Sequence, residues 1–90
     1  MNYDLGTYLY AVDEYSDCIQ HGKVSSIRYT SYKNYNSKGR PQHSLYREYN
    51  INSSWHHSDR VFTNREDAVL VLSNQIQIKI NYLQERIDEL

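Results

Sequence analysis

From Thr63 to Leu90 the chain carries neither glycine nor proline. No other stretch limits the possible folds as strongly, because it has the length and composition of one long helix over 63–90. Thr63 and Glu66 have capping-box spacing: the hydroxyl can accept from the N3 amide while the carboxylate reaches back to the cap. Glu66 and Asp67 suit the positive end of the helix dipole. At 100° per residue, Val69, Leu72, Ile76, Ile80, Leu83, Ile87 and Leu90 fall on one apolar stripe. Val71, Ile78 and Tyr82 form a second stripe, nearly opposite. Ser73, Asn74, Gln77, Asn81, Gln84 and Glu85 share the polar face.

Two stripes need two packing surfaces, and a sheet can cover one. A helix of this length runs about 40 Å, whereas an eight-residue strand spans about 26 Å. The distal third should therefore overhang the sheet. Leu83, Ile87 and Leu90 are expected to meet the same helix of a second chain, giving a homodimer.

Upstream of the helix the pattern changes to strands. Residues 7–12, "TYLYAV", are β-branched and aromatic. "DEYSDCIQHG" holds turn formers and reads as a loop with one helical turn. "KVSSIRYTSYKNY" is a second strand, "NSKGRPQ" a turn and "HSLYREYNI" a third strand. Gly39 can take positive φ in that turn, and Pro41 cannot donate to a ladder. "NSSWHHSD" reads as a loop and "RVF" as a short fourth strand. The expected fold is α+β, with a small antiparallel sheet of three or four strands packed on one long C-terminal helix. SH3-like curvature is one form that such a sheet can take. Residues 1–90 read as a single domain: sheet over 1–62 with a protruding hairpin at 27–51, then the helix.

The hairpin carries the functional signal. Residues 29–49 hold five tyrosines, and from His21 to Arg47 there are six Lys or Arg and no acid. The first 20 residues carry four acids and no base, although the net charge is only −1. With the turn centred near Lys38–Gly39, Tyr29 faces Tyr49, Tyr32 faces Tyr46 and Tyr35 faces His43. Tyr29 and Tyr49 are then expected in the core, with Tyr8 or Tyr10. Tyr32, Tyr35 and Tyr46 are expected exposed. The candidate partner-binding residues are Arg28, Tyr32, Lys33, Tyr35, Lys38, Arg40, Tyr46 and Arg47. Exposed tyrosine beside arginine supplies rigid aromatic area and fixed donors, the composition of protein-binding surfaces. The same residues could neutralise phosphates and stack bases, so single-stranded nucleic acid is the alternative ligand. Structural cross-strand tyrosine pairing is the bland alternative to both.

Catalytic and metal chemistry find little support. His56 and His57 are adjacent, so on a strand they point to opposite faces and do not readily share an ion. Cys18 has no positive neighbour in sequence to activate it, and as the single cysteine it excludes an intrachain disulfide framework. There is no glycine-rich phosphate loop and no implied cofactor. Asp13 and Glu14 read as solvated loop acids. No signal-peptide core follows Met1 and no apolar run reaches transmembrane length, so the expectation is a non-catalytic cytoplasmic protein with no membrane association.

The order "YLYAV … GKVSSI … Y … VFTNREDAVLVL" resembles many small bacteriophage-encoded accessory proteins. Those often run from a strand and a GKV-type strand through a hairpin into a Thr-capped amphipathic helix. The resemblance implies a protein that binds and blocks a host protein or defence complex. It transfers no functional residue, and the tyrosine density and the long helix after Ile76 depart from the usual compact pattern.

Overall fold

The structure, a computed structural model, describes residues 2–35 and 37–89. It is α+β, with two three-stranded antiparallel sheets and one C-terminal helix. Strand β1 (Tyr8–Asp13) is central in the first sheet, between β2 (Cys18–Lys23) and β6 (Val61–Phe62). Strand β4 (Pro41–Ile51) is central in the second, between β3 (Ser26–Tyr35) and β5 (Ser54–His57). A single 3₁₀ turn at Ser58–Arg60 carries the chain from β5 to β6, and α1 spans Arg65–Asp88.

The two inner faces share one core of Leu9, Ala11, Val24, Tyr49, Ile51 and Val61, flanked by Tyr3 and Ile27. Alternation then sends Tyr10, Val12 and Phe62 to the opposite face of the first sheet. Helix α1 touches β1, β2 and β6, so it lies on that second face. The order of layers is second sheet, first sheet, helix. Val12 and Ala68 are fully buried outside the inter-sheet core and mark the sheet–helix seam.

Two segments expected as loops are strands. "CIQHGK" pairs along the whole of β1, from Tyr8 opposite Lys23 to Asp13 opposite Cys18. The turn before it is held by Asp13, whose Oδ1 accepts the N–H groups of Tyr15 and Ser16 at 2.8 and 3.0 Å. "SWHH" pairs with Glu48–Ile51. Its tight turn uses Asn52 and Ser53, both left-handed at φ 53° and 67°. Two positive φ values are what a type I′ two-residue hairpin turn uses, and it is usually signalled by glycine.

The β3–β4 hairpin forms, but two residues out of the expected register. Ile27 faces Tyr49, Tyr29 faces Arg47 and Tyr32 faces Ser44. A slip of two keeps every side chain on its expected face, yet it moves Tyr29 one rung beyond the first sheet. Tyr49 is fully buried and Tyr29 is 64% exposed, so the expectation that both lie in the core holds for Tyr49 alone. Tyr8 is exposed, and half-buried Tyr10 stacks on His21 at 4.1 Å rather than entering the core. Tyr46 is half-buried, less open than expected.

The helix cap also lies one residue later than the capping box suggests. Asn64 is the N-cap, and its Oδ1 accepts the Asp67 N–H at 2.9 Å. Among the described residues no hydrogen bond joins Thr63 to the helix start, where Asn64 takes the capping role. Neither apolar stripe is centred on the sheet. The buried or half-buried helix residues are Ala68, Val71, Leu72 and Gln75, a line that runs between the stripes. Gln75 donates to Asp13 O and to Asp17 Oδ1, and Lys79 Nζ continues the line to Glu14 O and Asp17 Oδ1. Beyond Gln75 every described helix residue is exposed, which agrees with an overhanging distal segment.

Candidate binding surface

The β3–β4 hairpin outruns its cover. β5 pairs with β4 only from Glu48 to Ile51, whereas β3 pairs with β4 from Asn50 out to Pro41. The outer residues therefore form a two-stranded arm with both faces open.

On the outer face of the second sheet, polar and aromatic side chains interlock. The Arg28 guanidinium lies 4.2 Å from the Trp55 ring centre. Its Nε donates to Glu48 Oε1 at 2.9 Å, and Thr30 Oγ1 donates to the same oxygen at 2.6 Å. The Thr30 hydroxyl first, and then Arg28, hold the Glu48 carboxyl below its usual range. Tyr46 stacks on His57 at 4.3 Å and leans on Tyr32 at 5.4 Å. His57 Nδ1 accepts the Asp59 N–H at 2.9 Å, which fixes that ring.

Beside this face, a cleft of about 340 Å³ opens between β5 and the end of β1. Trp55, Tyr46, Glu48, His56, Asp13 and Arg60 line it. His56 is 6% exposed, and among the described residues its Nε2 has no hydrogen-bond partner. Burial holds this imidazole below the usual histidine range; Asp13 opposes that shift and Arg60 adds to it. Arg60 is itself engaged, donating to Val12 O and to Gln75 Oε1.

The opposite face carries a second set. Arg47 lies 5.6 Å from the Tyr29 ring and 5.3 Å from the Tyr49 ring, and its Nη2 donates to Tyr3 O at 2.8 Å. Lys33 lies 5.8 Å from the Tyr35 ring. The eight candidate residues thus divide. Arg28, Tyr32 and Tyr46 share the outer face; Lys33, Tyr35 and Arg47 share the inner one; Lys38 and Arg40 are exposed in the turn. Sequence reasoning missed Trp55, His57, Thr30 and Glu48. The spacing of Trp55 and His57 at i and i+2 would have placed both on one face, had "SWHH" been read as a strand.

On the helix, Leu83 and Ile87 are exposed, as are Ile78 and Tyr82 on the second stripe. Leu90, the third residue expected at a dimer interface, lies outside the described residues. Among the described residues no three His, Cys, Asp or Glu side chains are grouped to hold a metal ion, and no helix is long and apolar enough to cross a membrane.

Compared with known proteins, the chain matches no family model, no curated sequence and no solved structure.

Proposed function

We propose that the chain is a non-catalytic binding protein of the phage-accessory type, acting in the cytoplasm, that recognises a host protein through its tyrosine-rich hairpin. The observation that carries this reading is the fixed outer-face set of Arg28, Trp55, Glu48, Tyr46 and His57. Rings and guanidinium are held by one another before any partner arrives, so little side-chain freedom remains to be lost on binding. The basic residues favour protein over nucleic acid as the ligand. They are split between two faces and the turn, Arg28 is paired with Glu48, and Arg47 is tied to Tyr3 O. A phosphate backbone is better served by a continuous basic track. Single-stranded nucleic acid remains the second reading, supported by Lys33 beside exposed Tyr35 near the tip.

The exposed helix stripes support self-association of the same protein through Leu83 and Ile87. Burying an apolar side chain of this size contributes about 1.5–3 kcal/mol.

The test is capture from a bacterial lysate, with and without nuclease, by the natural chain and by a Tyr32→Ala/Tyr46→Ala variant. A nuclease-resistant partner that the variant fails to capture supports the reading. Loss of all bound material on nuclease treatment replaces it with the nucleic-acid reading. Sedimentation of the chain and of a Leu83→Lys/Ile87→Lys variant tests self-association, which a monomeric natural chain at high micromolar concentration would rule out.

A further inference from the structure

The edge of β4 is open where β5 stops. The β4–β5 hairpin closes on Ile51 and Ser54 around a two-residue turn, so Ile51 and Tyr49 direct their backbone N–H and C=O toward β5. Alternation continues along the strand: Arg47, Leu45 and His43 direct theirs toward the same side. There the chain has left as the 3₁₀ turn Ser58–Arg60, and among the described residues β4 has no strand neighbour on that side. Among the described residues no backbone hydrogen bond from a turn, loop or cap reaches these three groups. The space beside them is an open slot of about 520 Å³. Tyr29, Leu45 and Arg47 line one side of it and Tyr32, Tyr46 and His57 the other; Asn2, Ser58 and Asp59 also border it. A slot walled by both faces of a sheet lies along its edge.

We propose that an extended segment of the partner protein adds here as a strand, pairing with β4 over 43–47 and continuing the line of β5. This rests on the reading of the hairpin as a protein-binding arm and names how it binds. Main-chain bonds to Arg47, Leu45 and His43 supply affinity independent of sequence. Successive side chains of the segment alternate between the Tyr29–Leu45 wall and the Tyr32–Tyr46 wall, which supplies selectivity for apolar and aromatic residues. A second copy of this chain meets an obstacle when the two edges are centred on Leu45. Antiparallel pairing of two β4 edges about Leu45 would bring the partner's Gln42 opposite Glu48, where His57 already pairs. A short segment that ends at Ser58 meets no such obstacle.

The experiment selects binders from a display library of random nine-residue peptides against the folded full chain. Amide exchange is then recorded with and without the selected peptide. Free protein is expected to show fast exchange at His43, Leu45 and Arg47 and slow exchange at Ser44 and Tyr46, which bond to β3; peptide should slow the first three. Leu45→Pro removes one outward N–H without removing a ladder bond, and should weaken peptide about tenfold or more. Leu45→Thr keeps that N–H and should retain most of the affinity. Slow exchange at Ser44 and Tyr46 in the proline variant reports that the hairpin is intact. No enriched peptide, a peptide that protects none of the three amides, or undiminished binding to the proline variant would each overturn the proposal. In the lysate assay, capture lost with Tyr32→Ala/Tyr46→Ala but kept with Leu45→Pro rejects the added strand and leaves the protein-binding reading standing. Capture unaffected by either rejects both.

Discussion

The backbone N–H of Tyr3 donates to the phenolic oxygen of Tyr49 at 3.1 Å, tying the N-terminal segment to a residue 46 positions away. The two rings also meet edge to face at 5.8 Å. Tyr49 is fully buried, so its hydroxyl needs this partner. Tyr49→Phe should cost about 1–3 kcal/mol by leaving the Tyr3 amide unpaired. Tyr29→Ala, at the neighbouring exposed rung, should cost under about 0.5 kcal/mol. Urea denaturation of the two variants checks the contrast; equal losses would contradict the observed register.

The helix cap gives a second contrast. Asn64→Ala should destabilise the protein by about 1 kcal/mol, because the Asp67 amide loses its acceptor. Thr63→Ala should leave the midpoint nearly unchanged. A larger loss at Thr63 than at Asn64 would restore the capping box that the sequence suggests.

Gly22 is required by space rather than by its backbone angle. A β-carbon built there would stand 2.6 Å from Asn52 Oδ1 and 3.2 Å from Ile51 Cγ2. To make room the Asn52 side chain must turn away and give up the bond from its Nδ2 to His21 O, and Ile51 Cγ2 must shift as well. Gly22→Ala is expected to lower stability by about 1–3 kcal/mol through overpacking, readable as a lower melting temperature. An unchanged melting temperature would show that the Asn52 turn can yield.

Acidification should weaken the fold in two stages. His56 is held below its ordinary value of 6.5, so as pH falls past that value the unfolded chain takes up a proton that the folded chain refuses. Stability therefore declines with falling pH in that window. Asp13, with its Ser16 and Tyr15 amides, and Glu48, with Thr30 and Arg28, lie below their ordinary values of 3.8 and 4.5. Their contributions are present above those values and lost as pH falls below them. Denaturation midpoints between pH 8 and pH 5 check the first stage, with His56→Gln expected to flatten it. A natural chain equally stable at both pH values would refute the assignment.

The strongly patterned segments announced themselves in the sequence. β1, the hairpin strands and the helix follow from β-branched and aromatic runs and from the uninterrupted 63–90 stretch. β2 and β5 did not, because turn-forming residues lead into each and supply its turn: Asp17 is left-handed at φ 52°, as are Asn52 and Ser53. Their density of turn formers and acids made both stretches read as loops, and Trp55 and His57 were lost from the candidate surface with β5. Hairpin faces were legible while the register was not, since a shift of two leaves the alternation unchanged. The helix stripes were legible as apolar rows. Their relation to the sheet was not, because Gln75 and Lys79 make the seam partly polar through Asp13, Glu14 and Asp17.

The shortest strand has the largest topological role. Every other strand pair joins consecutive segments as a hairpin, whereas β6 brings Val61 and Phe62 back to Ala11 and Tyr10. The three hairpins can therefore form from local contacts. Closing the β1–β6 seam must overcome the loop entropy of nearly the whole sheet-forming chain. The seam should be the last to form during refolding and the first to part during unfolding. Val61→Ala should then accelerate unfolding and leave the refolding rate almost untouched, a division that the two limbs of a chevron plot record separately.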